Sequence, residues 1–333
     1  MTTIMKRAGL AVLTLAVGGS FAILQAAPID AIYVFGDSLT DVGNIYTVTG
    51  GTTPGAPYVA GQFTNGNVWV QDLASSLGLS ALKPSLLGGT DYAYGTAETG
   101  AASFNTAAVN TDLVGSTGQL AQFQAGHATA DPNALYAIWI GSNDLNDILA
   151  NASPAQFSAD AAIVIGNIDS AVNTLAGMGA KNFLILTVPD LGKTPAAMAL
   201  GPVASGGASA LSAAFDTGFT QSLFSVAATD SINISVLDTY ALLDSIVASP
   251  GSYGLNNVTQ PCLTGEVNYS GGTPCSTPDQ YLFWDPLHPT AAGHQIVASE
   301  AFDVLTPEPA SILLCAIGCA ALLSVRHKRP IGN

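Results

Sequence analysis

Short apolar runs alternating with helical stretches constrain this chain more than any other feature. The first run, Ile32-Tyr33-Val34-Phe35, carries no charge and reads as a buried parallel strand. Further strands are expected at Asp91–Ala97, Asn133–Ile140, Phe183–Val188 and Ile232–Leu237. Between them lie helical patterns. Asn67–Gly78 has Val70, Leu73, Ala74 and Leu77 on one side, and Gly118–Ala125 starts a second helix. Ser153-Pro154 reads as an N-cap and first-turn proline of a helix carrying Phe157, Val164, Ile168, Val172 and Leu175. Ala208–Ala227 and Thr290–Val304 complete the set. Strands alternating with helices imply an α/β fold whose parallel sheet is covered on both faces. No repeat or linker splits the middle, so one domain is expected.

The two ends read differently. Lys6-Arg7 precede an apolar stretch from Ala8 to Leu24 with small residues at Ala26 and Ala27, the pattern of a secretory signal peptide over residues 1–26. Near the other end, Thr306-Pro307-Glu308-Pro309 leads into sixteen uncharged residues, Ala310–Val325, and then Arg326-His327-Lys328-Arg329. Sixteen is short of the roughly 20 residues that span a bilayer comfortably, and the basic cluster favours a cytoplasmic end. Residues 27–306 lie between.

In that region only Lys83, Lys181 and Lys193 are basic, against 22 acidic residues, a net charge of −19. Such a surface repels nucleic acid, and without arginine no guanidinium fork can hold a phosphate. Cys262 and Cys275 are the only cysteines of the region and sit in a Gly/Thr/Pro-rich loop. In an oxidising compartment they should pair, and no second ligand pair lies at zinc-finger spacing. Asp37 and Asp41 lack a histidine cluster, so no metal and no cofactor is expected.

Four segments share one address. The first strand runs into Gly36-Asp37-Ser38-Leu39, the second into Gly95 and the third into Gly141-Ser142-Asn143-Asp144. Asp285-Pro286-Leu287-His288 forms a turn before the last helix. Parallel strand ends meet at one rim, where α/β sheets bind ligands. Acyl transfer needs a nucleophile, a base, a carboxylate behind the base and donors for the oxyanion. Ser38, His288 and Asp285 supply the first three. The N–H groups of Ser38 and Gly95 and the Asn143 amide supply the donors. The blander readings give Asp41 and Asn44 to the backbone of the Ser38 turn, Asp144 to a helix cap, His127 and His294 to structure, and Trp69 and Trp284 to the core.

In these motifs the chain resembles the SGNH, or GDSL, lipase/esterase family. Gly36-Asp37-Ser38-Leu39, Gly95, Gly141-Ser142-Asn143-Asp144 and Asp285-Pro286-Leu287-His288 stand in the family's order. Phe63–Trp69 and Pro189-Asp190-Leu191-Gly192 are similar to family segments too. The resemblance implies a flavodoxin-like three-layer sandwich with a five-stranded parallel sheet, and hydrolysis of carboxylic esters through a serine acyl-enzyme. Asp91 and Thr96 depart from it, standing where similar members usually have Asn and often a second Gly. The C-terminal segment, 307–333, resembles a PEP-CTERM sorting signal. That implies export in a Gram-negative bacterium, with signal peptidase and an exosortase as processing partners; a plain membrane anchor is the alternative.

An exported esterase or lipase acting on a lipid or acylated glycan is the first functional reading. A surface or exopolysaccharide-associated protein without turnover is the second. An acyltransferase using the same triad is the third.

Overall fold

The computed structural model describes residues 29–59, 61–100 and 111–306. The segments read as a signal peptide and a sorting tail lie outside the described residues. Strands β1 (Ile32–Gly36), β2 (Leu135–Trp139), β3 (Asn182–Leu186) and β4 (Asn233–Leu237) form a parallel sheet in that order. The register pairs Gly36 with Trp139, Ile138 with Ile185 and Leu186 with Leu237, so the carboxyl ends line up along one rim. Helices along the chain are α1 (Asn44–Val48), α2 (Trp69–Ser76), α3 (Gln119–Gly126), α4 (Ser142–Asn151), α5 (Phe157–Met178), α6 (Pro195–Ala199), α7 (Pro202–Asp230), α8 (Thr239–Ala248) and α9 (Ala291–Leu305). Beyond α8, β5 (Asn257–Pro261) pairs with β8 (Tyr281–Phe283), and β6 (Leu263–Thr264) with β7 (Thr273–Pro274).

Alternate strand residues enter two separate cores, as the two-residue period of a strand requires. Phe35, Tyr136, Ile138, Phe183 and Ile185 meet α5 and α7. Val34, Ala137, Trp139, Leu184 and Leu186 meet α2, α8 and α9. Helix α5 contains Gly166 and several β-branched residues that weaken helix propensity. Packing overrides this: Val164, Ile168, Val172 and Leu175 are fully buried, each worth roughly 1.5–3 kcal/mol.

The expected five-stranded sheet contains four regular strands. The fifth segment, 90–94, still runs beside β1, with Val34 N–H bonded to Thr90 O, Tyr92 N–H to Val34 O and Tyr94 N–H to Gly36 O, at 2.8–3.2 Å. Against β1 it makes a single parallel bridge, Val34 with Asp91, and Pro84 bridges Asp91 from the other side. On its other edge the segment is held partly by backbone, Ser85 N–H to Asp91 O at 2.7 Å and Asp91 N–H to Lys83 O at 3.1 Å, and partly by the Asn44 amide, which donates to Asp91 O and Ala93 O at 2.8 and 2.9 Å. Counting it, the strand order is the flavodoxin-like 2-1-3-4-5.

Two helix boundaries also differ. Helix α5 begins at Phe157 rather than at Pro154, because α4 runs to Asn151 and residues 153–156 turn on themselves through Gln156 N–H to Ser153 O at 2.8 Å. Helix α7 is longer than expected at both ends, opening with Pro202 in its first turn.

Candidate active site

Strand β1 ends on a glycine for a steric reason: a Cβ on Gly36 would stand 2.5 Å from the carbonyl oxygen of Trp139. The chain then turns tightly, with Leu39 N–H on Asp37 Oδ1 at 2.9 Å and the N–H groups of Thr40 and Asp41 on Asp37 O at 3.0 Å. This turn lifts Ser38 onto the rim. Asp41 is fully buried and accepts from Gly43, Asn44 and Ile45 N–H, and from Gly95 N–H at 2.8 Å. Burial pushes its carboxyl up to about 6 against the pull of those N–H groups. Asp41 therefore bonds the turn as expected and ties it to the irregular fifth strand, whereas the Asn44 side chain bonds Asp91 O and Ala93 O rather than the turn.

The histidine arrives from the far end of the chain. Asp285 Oδ1 accepts from Leu287 and His288 N–H at 2.8 and 2.7 Å, which closes the turn after β8. Its Oδ2 lies 2.7 Å from His288 Nδ1, and His288 Nε2 lies 2.8 Å from Ser38 Oγ. All three residues are buried, with Ser38 the most open at 8 %. Burial opposes ionisation of Asp285, but the charge and hydrogen bonds of His288 outweigh it and hold the carboxyl below its ordinary value. For His288, burial lowers the basicity while the Asp285 charge raises it, and the net effect is upward. Nδ1 therefore holds a proton towards Asp285, and Nε2 is directed at the serine.

One expected donor is corrected. Gly95 N–H is committed to Asp41 and does not face the pocket; a Cβ there would sit 2.3 Å from the Phe63 ring. The next residue, Thr96, lines the pocket with Ser38 and Asn143. Its φ of +64° is a left-handed value that favours glycine, and that strain turns the peptide towards the rim. Neither Ser38 nor Thr96 N–H donates to another described residue. Asn143, in the first turn of α4, gives one amide hydrogen to Ala97 O at 2.9 Å and keeps the other. The sequence signal for Thr96 was its place after Gly95 where a second glycine is common.

Other assignments shift as well. Asp144 does not cap α4; its carboxylate accepts from the backbone and hydroxyl of Thr99 at 2.7–3.1 Å. Trp69 and Trp284 are core residues, 0 % and 2 % exposed. His127 stacks on Phe123 at 4.3 Å, and His294 is fully buried with no hydrogen-bond partner for either ring nitrogen among the described residues. Cys262 and Cys275 form a disulfide, and their loop lays Tyr269 edge-on to the His288 ring at 5.7 Å. Tyr58, which donates to Asp285 Oδ2 at 2.7 Å, had no sequence signal at all.

From Ser38 a pocket, partly open to solvent, runs between the sheet and helices α8 and α9. Trp139, Leu242, Leu243, Ile246, Phe283 and Val297 give it an apolar wall. Asp37 and Asn146 also line it. No group of three His, Cys, Asp or Glu side chains that could hold a metal occurs among the described residues.

Residues 32–301 match the GDSL-like lipase/acylhydrolase family, and the chain belongs to that family. It is 30 % identical to esterase EstA of Pseudomonas aeruginosa, over 85 % of this chain and 48 % of that protein. It is 28 % identical to a phosphatidylcholine-sterol acyltransferase of Aeromonas hydrophila, over 85 % and 81 %. The chain thus spans about half the length of EstA. Among solved structures, the acetylxylan esterase Axe2 of Geobacillus stearothermophilus aligns over 85 % of this chain and 98 % of its own. Its identity is 13 % and the TM-score 0.42.

Proposed function

We propose that this chain is an exported serine esterase or lipase that hydrolyses uncharged carboxylic esters through an acyl-enzyme on Ser38. The observation that carries the reading is the unbroken series Ser38 Oγ–His288 Nε2, His288 Nδ1–Asp285 Oδ2, at 2.8 and 2.7 Å. His288 takes the Ser38 proton as the oxygen attacks the ester carbon. Asp285 orients the ring and stabilises the imidazolium that forms. The oxyanion is received by the N–H groups of Ser38 and Thr96 and the free amide hydrogen of Asn143. His288 then protonates the departing alcohol, and a water molecule repeats the cycle on the acyl-enzyme.

The apolar pocket supports acyl chains longer than acetyl, each buried methylene being worth about 0.8 kcal/mol. A region with three lysines and net charge −19 disfavours strongly anionic esters. Export belongs to the same proposal. The leader pattern at Lys6–Ala27 supports it, and so does a disulfide at home in an oxidising compartment. The Pro307-Glu308-Pro309 tail is assigned to exosortase processing on its resemblance alone.

Residues 27–306 assayed on p-nitrophenyl esters from two to twelve carbons, beside Ser38→Ala, test the reading. Hydrolysis peaking above two carbons and lost in the variant is expected. Rates equal to the Ser38→Ala background would favour a matrix protein without turnover. Transfer of the acyl group to an alcohol is the second reading, favoured by the relative named as an acyltransferase. A new ester formed when an alcohol is added would identify it.

A further inference from the structure

The Asp285 carboxylate accepts four hydrogen bonds, and only three come from its own turn. Oδ1 takes the N–H groups of Leu287 and His288, and Oδ2 takes the His288 ring. The fourth is the phenolic O–H of Tyr58, on the same Oδ2 at 2.7 Å and from 227 residues away. Tyr58 is 5 % exposed. Burial and the Asp285 charge push its hydroxyl well above the ordinary phenol value, so it remains a donor throughout the working pH range.

Two loops converge to hold that hydroxyl in place. Tyr58 N–H bonds Gly55 O at 3.0 Å, Gly55 N–H bonds Tyr269 O at 2.8 Å, and Gly271 N–H bonds Ala56 O at 2.8 Å. The Tyr58 ring meets Tyr269 and Trp284 edge-on, each at 6.2 Å. The loop closed by the Cys262–Cys275 disulfide is thus docked on the loop that carries Tyr58.

We propose that Tyr58 is a positioning residue of the Ser38–His288–Asp285 relay, holding the Asp285 carboxylate in line and tempering its pull on His288. The proposal rests on the serine-hydrolase reading above. Two donors share Oδ2, and a donor to a carboxylate stabilises its charged form and makes it a weaker acceptor for the other. Without the phenol, Oδ2 faces His288 alone and the ring becomes more basic. The other titratable groups facing His288 are Asp37, Tyr269 and His294, and those facing Tyr58 are Glu266 and Tyr269. A change at Tyr58 leaves all of them in place.

Tyr58→Phe keeps the ring and removes only the hydroxyl. The midpoint of the acid limb of kcat/KM should move up by about 0.5–1 pH unit. KM should stay within about twofold while plateau kcat falls about three- to tenfold, the scale of one ordinary net hydrogen bond. Incorporation of 3-fluorotyrosine at position 58, a stronger donor, should move the limb the other way. An acid limb unmoved in both proteins, with only a lowered thermal midpoint, would reduce Tyr58 to a packing residue and overturn the proposal. The imidazole titration of His288, followed by NMR in Ser38→Ala with and without Tyr58→Phe, needs no turnover. It separates a failure of the hydrolase reading (no esterase activity in the parent) from a failure of this one (no change in the His288 titration).

Discussion

Ser38 Oγ and His288 Nε2 stand 2.8 Å apart although 250 residues separate them along the chain. The contact exists because β1 ends at Gly36 on the rim of the sheet and the turn after β8 closes over the same rim. Neither residue reacts alone: a serine hydroxyl needs a neighbouring base to become a nucleophile.

Ser38→Ala or His288→Ala should lower kcat by about four to six orders of magnitude, since the groups act as a unit. Asn143→Ala should cost about 10²–10³ in kcat with little change in KM, the loss of one oxyanion donor. Steady-state kinetics on a single p-nitrophenyl ester would show both. A KM effect without a kcat effect in Asn143→Ala would remove it from the oxyanion site.

The rate should rise with pH and reach half its plateau above pH 6.5. Burial alone would make His288 less basic, but the Asp285 charge beside it raises its pKa above 6.5. A base acts only when unprotonated, so raising its pKa moves the acid limb of kcat/KM upward. A pH–rate profile from pH 4 to 9 checks the sign; a midpoint below 6.5 would contradict it.

Asp91→Asn should gain stability on the parent as the pH rises. Asp91 is fully buried, and burial first, then the Asp41 charge, hold its carboxyl well above the ordinary value. Between pH 3.8 and that raised value the folded state keeps a proton that the unfolded state releases, so each step upward in pH weakens the parent. The limiting slope is about 1.4 kcal/mol per pH unit, and asparagine does not titrate. Urea melts of both proteins from pH 4 to 8 give the difference. A pH-independent gap would show that the Asp41–Asp91 pair shares no strain.

Ile246→Trp should narrow the acyl pocket, since Ile246 is 2 % exposed and lines its apolar wall. Octanoyl esters should lose about tenfold or more in kcat/KM while acetyl esters change little. Overpacking should cost about 1–3 kcal/mol of stability, visible in the thermal midpoint. Equal losses for both esters would place the acyl chain elsewhere.

Sequence and structure agree most closely where the controlling forces are short-ranged. The apolar runs at Ile32–Phe35 and Phe183–Val188 became β1 and β3, because an uncharged run of that length has few stable alternatives to a buried strand. Thr290 caps α9 by accepting from Gly293 N–H at 3.1 Å, a pattern written in adjacent residues. Ser153-Pro154 looked like such a cap as well, yet α4 ran on to Asn151 and displaced the helix start to Phe157.

The sequence alone determined the class of fold and the four segments that meet at its rim, because hydrophobic period and turn chemistry act over a few neighbouring residues. Only the tertiary structure decided that Gly95 N–H belongs to Asp41, that Thr96 takes the place beside the pocket, and that Tyr58 reaches Asp285. A buried polar atom must find a partner, and which partner it finds depends on how distant segments pack, which no local pattern records.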